Sequence, residues 1–140
     1  MPFVKVTLTA PKPRDFATNP QTLGEHLKKR RRELGLLQKE VAARLSVNEW
    51  TYVTWETDRC QPAIRMMPLI LAFLDYYPFP APQTLGERLL AVRRHLGLSR
   101  KKMAARLSVD EGKLAGWEWG ISSPNERLEQ QIEKLLALIR

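Results

Sequence analysis

The chain has 140 residues, a formal net charge of +8 and a pI near 10.0. Its ordinary hydrophobic fraction of 44% argues against wholesale disorder. No apolar run is long enough to span a bilayer, and the N-terminus lacks the apolar core of a signal peptide. The charge is spread along the chain, as +2 over residues 1–20, +3 over 21–74, −1 over 75–82 and +4 over 83–140. Such a protein suits a polyanion, and a solvated nucleic-acid partner fits better than a membrane face.

Residues 1–20 begin with a strand pattern. Val4, Val6 and Leu8 fall on one face, with Lys5, Thr7 and Thr9 on the other, inside the run Phe3–Thr9. Pro11, Pro13 and Pro20 then break the pattern. A lone strand is unstable, so this arm either pairs with its counterpart in another chain or stays unstructured.

From Gln21 the chain enters a segment that it later repeats. Residues 21–74 and 83–136 align without a gap at an offset of 62 and are identical at 25 of 54 positions. A repeat of this length is a duplicated domain. The expected organisation is an arm (1–20), a first domain (21–75), a linker (76–82) and a second domain (83–140). Each domain is small, with a modest core.

In the first copy Leu23, Leu27 and Leu34 share a helical face that Gly35 closes. A second helix is expected over Gln38–Leu45, with Val41, Ala42 and Leu45 inward. The turn Ser46–Val47–Asn48 ends in an N-cap residue. A third helix over Glu49–Thr57 is anchored by Tyr52 and Trp55. In a fourth, Met67, Ile70, Leu71 and Leu74 recur at i, i+3, i+4 and i+7, with Pro68 near its start.

The linker carries Pro78, Pro80 and Pro82, which make it stiff. Its Tyr76, Tyr77 and Phe79 are expected to pack on a domain, the alternative being a wet spacer. In the second copy Ser99 and Asp110 cap the second and third helices. Ser123–Pro124–Asn125–Glu126 reads as a capping box, and Leu128, Ile132, Leu135 and Ile139 form a stripe on the last helix. The single cysteine, Cys60, excludes an intramolecular disulfide and a zinc knuckle and suits a reducing compartment.

Two short helices across a tight turn, flanked by further helices, form helix-turn-helix architecture. The stretch Leu34-Gly35-Leu36-Leu37-Gln38-Lys39-Glu40-Val41-Ala42, through Leu45-Ser46-Val47 to Trp55-Glu56, resembles the lambda-repressor and Cro family, the xenobiotic-response-element class. Leu96-Gly97-Leu98-Ser99-Arg100, through Ala104-Ala105 and Leu107-Ser108-Val109 to Trp117-Glu118, resembles it again. The fold implied is all-α, with two tandem lambda-repressor-like domains of four or five short helices behind the extended arm.

The resemblance implies that the third helix enters the DNA major groove while the second crosses the backbone. Asn48, Glu49, Trp50 and Thr54 would then face bases, as would Asp110, Glu111 and Lys113 in the second copy. Glu49 suits a cytosine amino group and Trp50 a thymine methyl. Gln38 matches the family's phosphate-binding glutamine, and Arg100 is its equivalent. Lys39, Arg59, Arg65, Lys101 and Lys102 are further backbone candidates. Arg31 with Glu56, and Arg93 with Glu118, match a structural ion pair that ties the first helix to the third. The run Lys28–Arg32 is spread around a helix and is mostly solvated.

The second copy departs from the first. Gly112 replaces Trp50 and Gly116 replaces Thr54, and a helix-interior glycine costs about 1 kcal/mol and reads no base. Leu37 stands where Ser99 supplies a polar cap, and Ser46 and Ser108 stand where glycine is usual, so a left-handed backbone there would be strained.

The expected function is sequence-specific binding of double-stranded DNA by a bacterial or phage-type transcription regulator, cytoplasmic and nucleoid-associated. The duplication would replace the family's dimer, with half-sites roughly 34–36 Å apart. Further dimerisation through the arm or the last helix stays open. The alternative is a protein-interaction module of antitoxin or coactivator type, with one repeat holding a protein. No cofactor, metal, small-molecule ligand or membrane contact is expected. An enzyme is disfavoured, since His26 and His95 do not align between the copies and no catalytic motif appears.

Overall fold

The computed structural model describes residues 19–138, and their regular structure is all helical, with eight α-helices and no strand among the described residues. The expected Phe3–Thr9 strand, Pro11, Pro13 and Ile139 lie outside the described residues. Packing divides the chain into two units. The first runs to Pro62 and takes in Tyr76–Phe79. The second holds Ala63–Asp75 and the chain from Pro80 onward.

The first unit contains α1 (Leu23–Glu33), α2 (Gln38–Arg44) and α3 (Glu49–Glu56). A capping box starts α1: the Thr22 hydroxyl accepts from the Glu25 amide at 3.1 Å, and the Glu25 carboxylate accepts from the Thr22 amide at 3.2 Å. Arg30, Arg31 and Arg32 in its last turn suit the negative end of the helix dipole. Gly35, at φ +68°, then turns the chain.

The start of α2 is weaker, because Leu37 has no side-chain acceptor; only the Glu40 carboxylate helps, accepting from the Leu37 amide at 2.7 Å. Asn48 caps α3, its side-chain oxygen accepting from the Thr51 amide at 2.8 Å. Leu23, Leu27, Val41, Ala42, Leu45, Tyr52 and Trp55 are buried. Leu34, expected on the α1 stripe, is 40% exposed, because it follows the last helical residue and leaves the inward face.

Tyr76, Tyr77 and Phe79 group with the first unit. The Tyr76 hydroxyl lies 2.5 Å from His26 Nδ1, and the Tyr77 and Phe79 rings meet edge to face at 5.2 Å.

The second unit contains the 3-10 turn Ile64–Met66, then α4 (Met67–Leu74), α5 (Leu85–Leu96), α6 (Arg100–Leu107), α7 (Glu111–Glu118) and α8 (Glu126–Leu138). Helix α4 packs against α5, and its Met67, Ile70, Leu71 and Leu74 are all buried. The core joins Leu89 and Val92 of α5, Met103 and Leu107 of α6, Leu114 and Trp117 of α7, and Ile132 and Leu136 of α8. Leu128 and Leu135 only flank it. The cap of α8 also differs from expectation. Asn125, not Ser123, accepts from the Leu128 amide at 2.9 Å, so the helix begins after Asn125, and Pro124 is buried ahead of it.

Ser46 and Ser108 occupy equivalent turn positions at φ +59° and +58°. A side chain in this region strains the backbone, and glycine relieves it. Ser46→Gly and Ser108→Gly are each expected to stabilise the protein by about 1 kcal/mol, read as a rise in the urea midpoint at constant slope. A loss of stability in both variants would show that the turns are unstrained.

Candidate nucleic-acid interface

An ion pair ties α1 to the end of α3 within the first unit. Arg31 Nε donates to Glu56 Oε2 at 2.8 Å and Nη2 to Oε1 at 2.7 Å, while Nη1 caps the Leu36 carbonyl at 3.1 Å. The second unit repeats the arrangement. Arg93 Nε donates to Glu118 Oε2 at 2.7 Å, Nη2 to Oε1 at 3.1 Å, and Nη1 to the Leu98 carbonyl at 3.2 Å. Both forks are bidentate and largely withdrawn from water. A shallow cleft beside each pair is lined at equivalent positions, by Lys28, Gln38 and Thr57 in the first unit and by Leu90, Arg100 and Trp119 in the second.

Gln38 and Arg100, expected at phosphates, are drawn into these pairs. Gln38 Nε2 donates to Glu56 at 3.1 Å and Arg100 Nε to Glu118 at 3.3 Å. The Arg100 guanidinium also lies 5.3 Å over the Trp119 ring. Part of their donor capacity is therefore held inside the protein.

Burial alone would raise the Glu56 carboxyl. Hydrogen bonds from Arg31 and Gln38, with the Arg31 charge, outweigh it and hold the group below the ordinary carboxylate range. The hydrogen bond that Arg31 donates to Glu56 in turn raises the Arg31 guanidinium. Burial, then the neighbouring Lys29, lower the His26 imidazole against the pull of Glu25.

A close helix crossing, which sequence reasoning missed, completes the frame. A Cβ on Gly24 would lie 2.6 Å from the Glu56 and Trp55 carbonyl oxygens, and one on Gly86 would lie 2.5 Å from the Glu118 oxygen. The end of the third helix thus runs against the first turn of the first helix in each unit. In the first unit Asp58 secures the crossing. Its carboxylate accepts from the Gly24 amide at 3.1 Å and from the Thr22 hydroxyl at 2.7 Å. The only sequence signal was the Thr-Leu-Gly-Glu run common to both copies.

Held this way, α3 presents Asn48, Glu49 and Trp50 to solvent, with Trp50 65% exposed. Thr54 corrects the expectation that it faces bases. It is 8% exposed and its hydroxyl donates to the Thr51 carbonyl at 2.6 Å. The Arg59 and Cys60 amides fold back onto the Thr54 carbonyl, so the second turn of this short helix is covered.

Lys39 and Arg59 are exposed in the first unit, and Arg65 is exposed in the second. In the second unit Lys101, Lys102, Asp110, Glu111 and Lys113 are exposed, and the Asp110 carboxylate is occupied as a cap on the Gly112 amide at 2.9 Å. Arg44, Arg106 and Arg127 are exposed cations that sequence reasoning passed over, although the first two are equivalent in the repeat. His26 and His95 are half-buried, and His95 Nδ1 lies 2.9 Å from the Ala91 carbonyl. Among the described residues no cluster of three or more His, Cys, Asp or Glu side chains could hold a metal, and no helix is long and apolar enough to cross a membrane.

The first unit thus carries an exposed leading edge on a short helix, entered through a tight turn and braced from behind. Residues 27–79 match the helix-turn-helix family model. That family is one of DNA-binding regulators, generally without catalytic activity. The match covers α2 and α3, the two helices of the motif, together with most of α1 and all of α4. Comparison with curated proteins and with solved structures returned no match.

Proposed function

We propose that the protein is a sequence-specific binder of double-stranded DNA, a transcription regulator of bacterial or phage type acting in the cytoplasm on the nucleoid. The observation that carries this reading is the exposed edge Asn48–Glu49–Trp50 at the start of α3, within the helix-turn-helix match. Helix α3 lies in the major groove, where Glu49 and Trp50 meet base edges. Lys39 and Arg59 hold phosphates. Helix α7 occupies the adjacent half-site, so that one chain does the work of a dimer.

Selection of bound duplexes from a random pool should return a defined site, with affinity falling steeply as salt rises. A Glu49→Ala/Trp50→Ala double variant should lose the preference for that site. Failure to recover any preferred sequence would overturn the proposal.

A second reading, a protein-interaction module, is favoured by one observation. Trp119 and Ile121, just after α7, are 66% and 75% exposed. Under that reading the same double variant leaves partner binding intact, and replacing Trp119 and Ile121 abolishes it.

A further inference from the structure

Although α3 and α7 are equivalent in the repeat, their surroundings have diverged in one direction. Across Gln38–Glu56 the first motif has two cations, Lys39 and Arg44, against three anions, a balance of −1. Across Arg100–Glu118 the second has five cations against three anions, a balance of +2. The change is concentrated on the outer faces. Lys102 stands for Glu40 and Lys113 for Thr51, and both lysines are exposed. Over the same stretch the second motif loses its most prominent reading group, because Gly112 stands where Trp50 protrudes.

A neighbouring cleft of the second unit, about 330 Å³, is lined by Arg106, Ser108, Asn125, Arg127 and Gln131 with no carboxylate. Its chemistry also suits a phosphodiester.

We infer that the two motifs have separate roles on DNA. The first chooses sequence, with Trp50 as its discriminating side chain, and the second grips the phosphate backbone of any neighbouring duplex without choosing. The inference rests on the DNA-binding reading and refines it. The first motif, with two cations against the second's five, gains less from phosphates and depends more on base-edge contacts. A motif balanced at +2 binds any duplex through counterion release, which carries no sequence information. Tethering then lets the non-selective half raise the local concentration of DNA at the selective half.

The test uses the full chain and three proteins: the wild type, Trp50→Ala, and Lys101→Gln/Lys102→Gln/Lys113→Gln. Each is put through duplex selection from a random pool, then salt titrations on the selected duplex and a scrambled one, with circular dichroism to show an unchanged fold. Trp50 and the three lysines are exposed, so all variants should fold. Trp50→Ala should flatten the selected sequence and leave affinity for scrambled duplex within about twofold, because no phosphate contact is lost. The lysine variant should weaken binding to both duplexes by one common factor and reduce the salt slope by about 3, with the selected sequence unchanged. A Trp50→Ala protein that selects the wild-type sequence overturns the inference alone, as does a lysine variant that selects a different one. A wild type that binds no duplex overturns the DNA-binding reading and this inference together.

Discussion

Glu56→Ala is expected to cost the first unit about 3–5 kcal/mol, because it leaves a charged Arg31 with little water and no counter-charge. Gln38 loses its acceptor as well. The measurement is a urea titration of the variant beside an Arg31→Met/Glu56→Leu double variant. The double should lose far less than the single, since apolar groups of similar volume replace a buried pair at little cost. Equal losses would mean that packing, not the uncompensated charge, sets the penalty.

The same carboxylate sets an acid limit. Its folded value lies below its unfolded one, so over that interval the unfolded chain binds more protons and stability rises with pH. The contribution is complete above the unfolded value, roughly pH 4.3, and is lost as pH falls through the folded value. In Glu56→Ala the slope of stability against pH below that point should be shallower than in the wild type.

Gly86→Ala is expected to destabilise the second unit by about 3 kcal/mol, at the upper end of what an overpacked methyl costs. Two effects oppose each other. Alanine is the better helix former by about 1 kcal/mol. The new methyl, however, would sit 2.5 Å from the Glu118 carbonyl oxygen and 2.8 Å from that of Trp117. These are backbone atoms and cannot rotate aside, so the clash wins and the two helices must separate. The urea midpoint should fall at constant slope, and a midpoint that rises would show that the crossing has room for a methyl. Gly24→Ala should behave alike, since its methyl meets the equivalent oxygens at 2.6 Å.

What the sequence disclosed follows from how local each signal is. The stripe Met67, Ile70, Leu71 and Leu74 marks a helix without help from the rest of the fold, and the bounds Met67–Leu74 match it. The strained serines were legible because the turn they occupy is itself short-range. Thr54 was misread for a longer-range reason. It stands four residues after Trp50, so helical spacing puts both on one face, but the loop carrying Arg59 and Cys60 closes over the second turn. Gly24 and Gly86 were invisible as packing residues, since nothing near them in sequence tells that a distant helix ends against them. The start of α8 was missed by two residues because Ser123 and Asn125 are both good caps and only the tertiary path chooses between them.

The two packed units are interleaved along the backbone. The first ends at Pro62 and resumes for Tyr76–Phe79, and the second takes up Ala63–Asp75 in between. A protease nick between Asp75 and Tyr76, where the repeat itself would invite a truncation, therefore strands α4 on the fragment that carries α1 to α3. No single scission yields two whole halves. A gene fragment encoding either repeat alone would express a protein with an exposed apolar scar, and a negative result with such a fragment would report on misfolding before it reported on affinity.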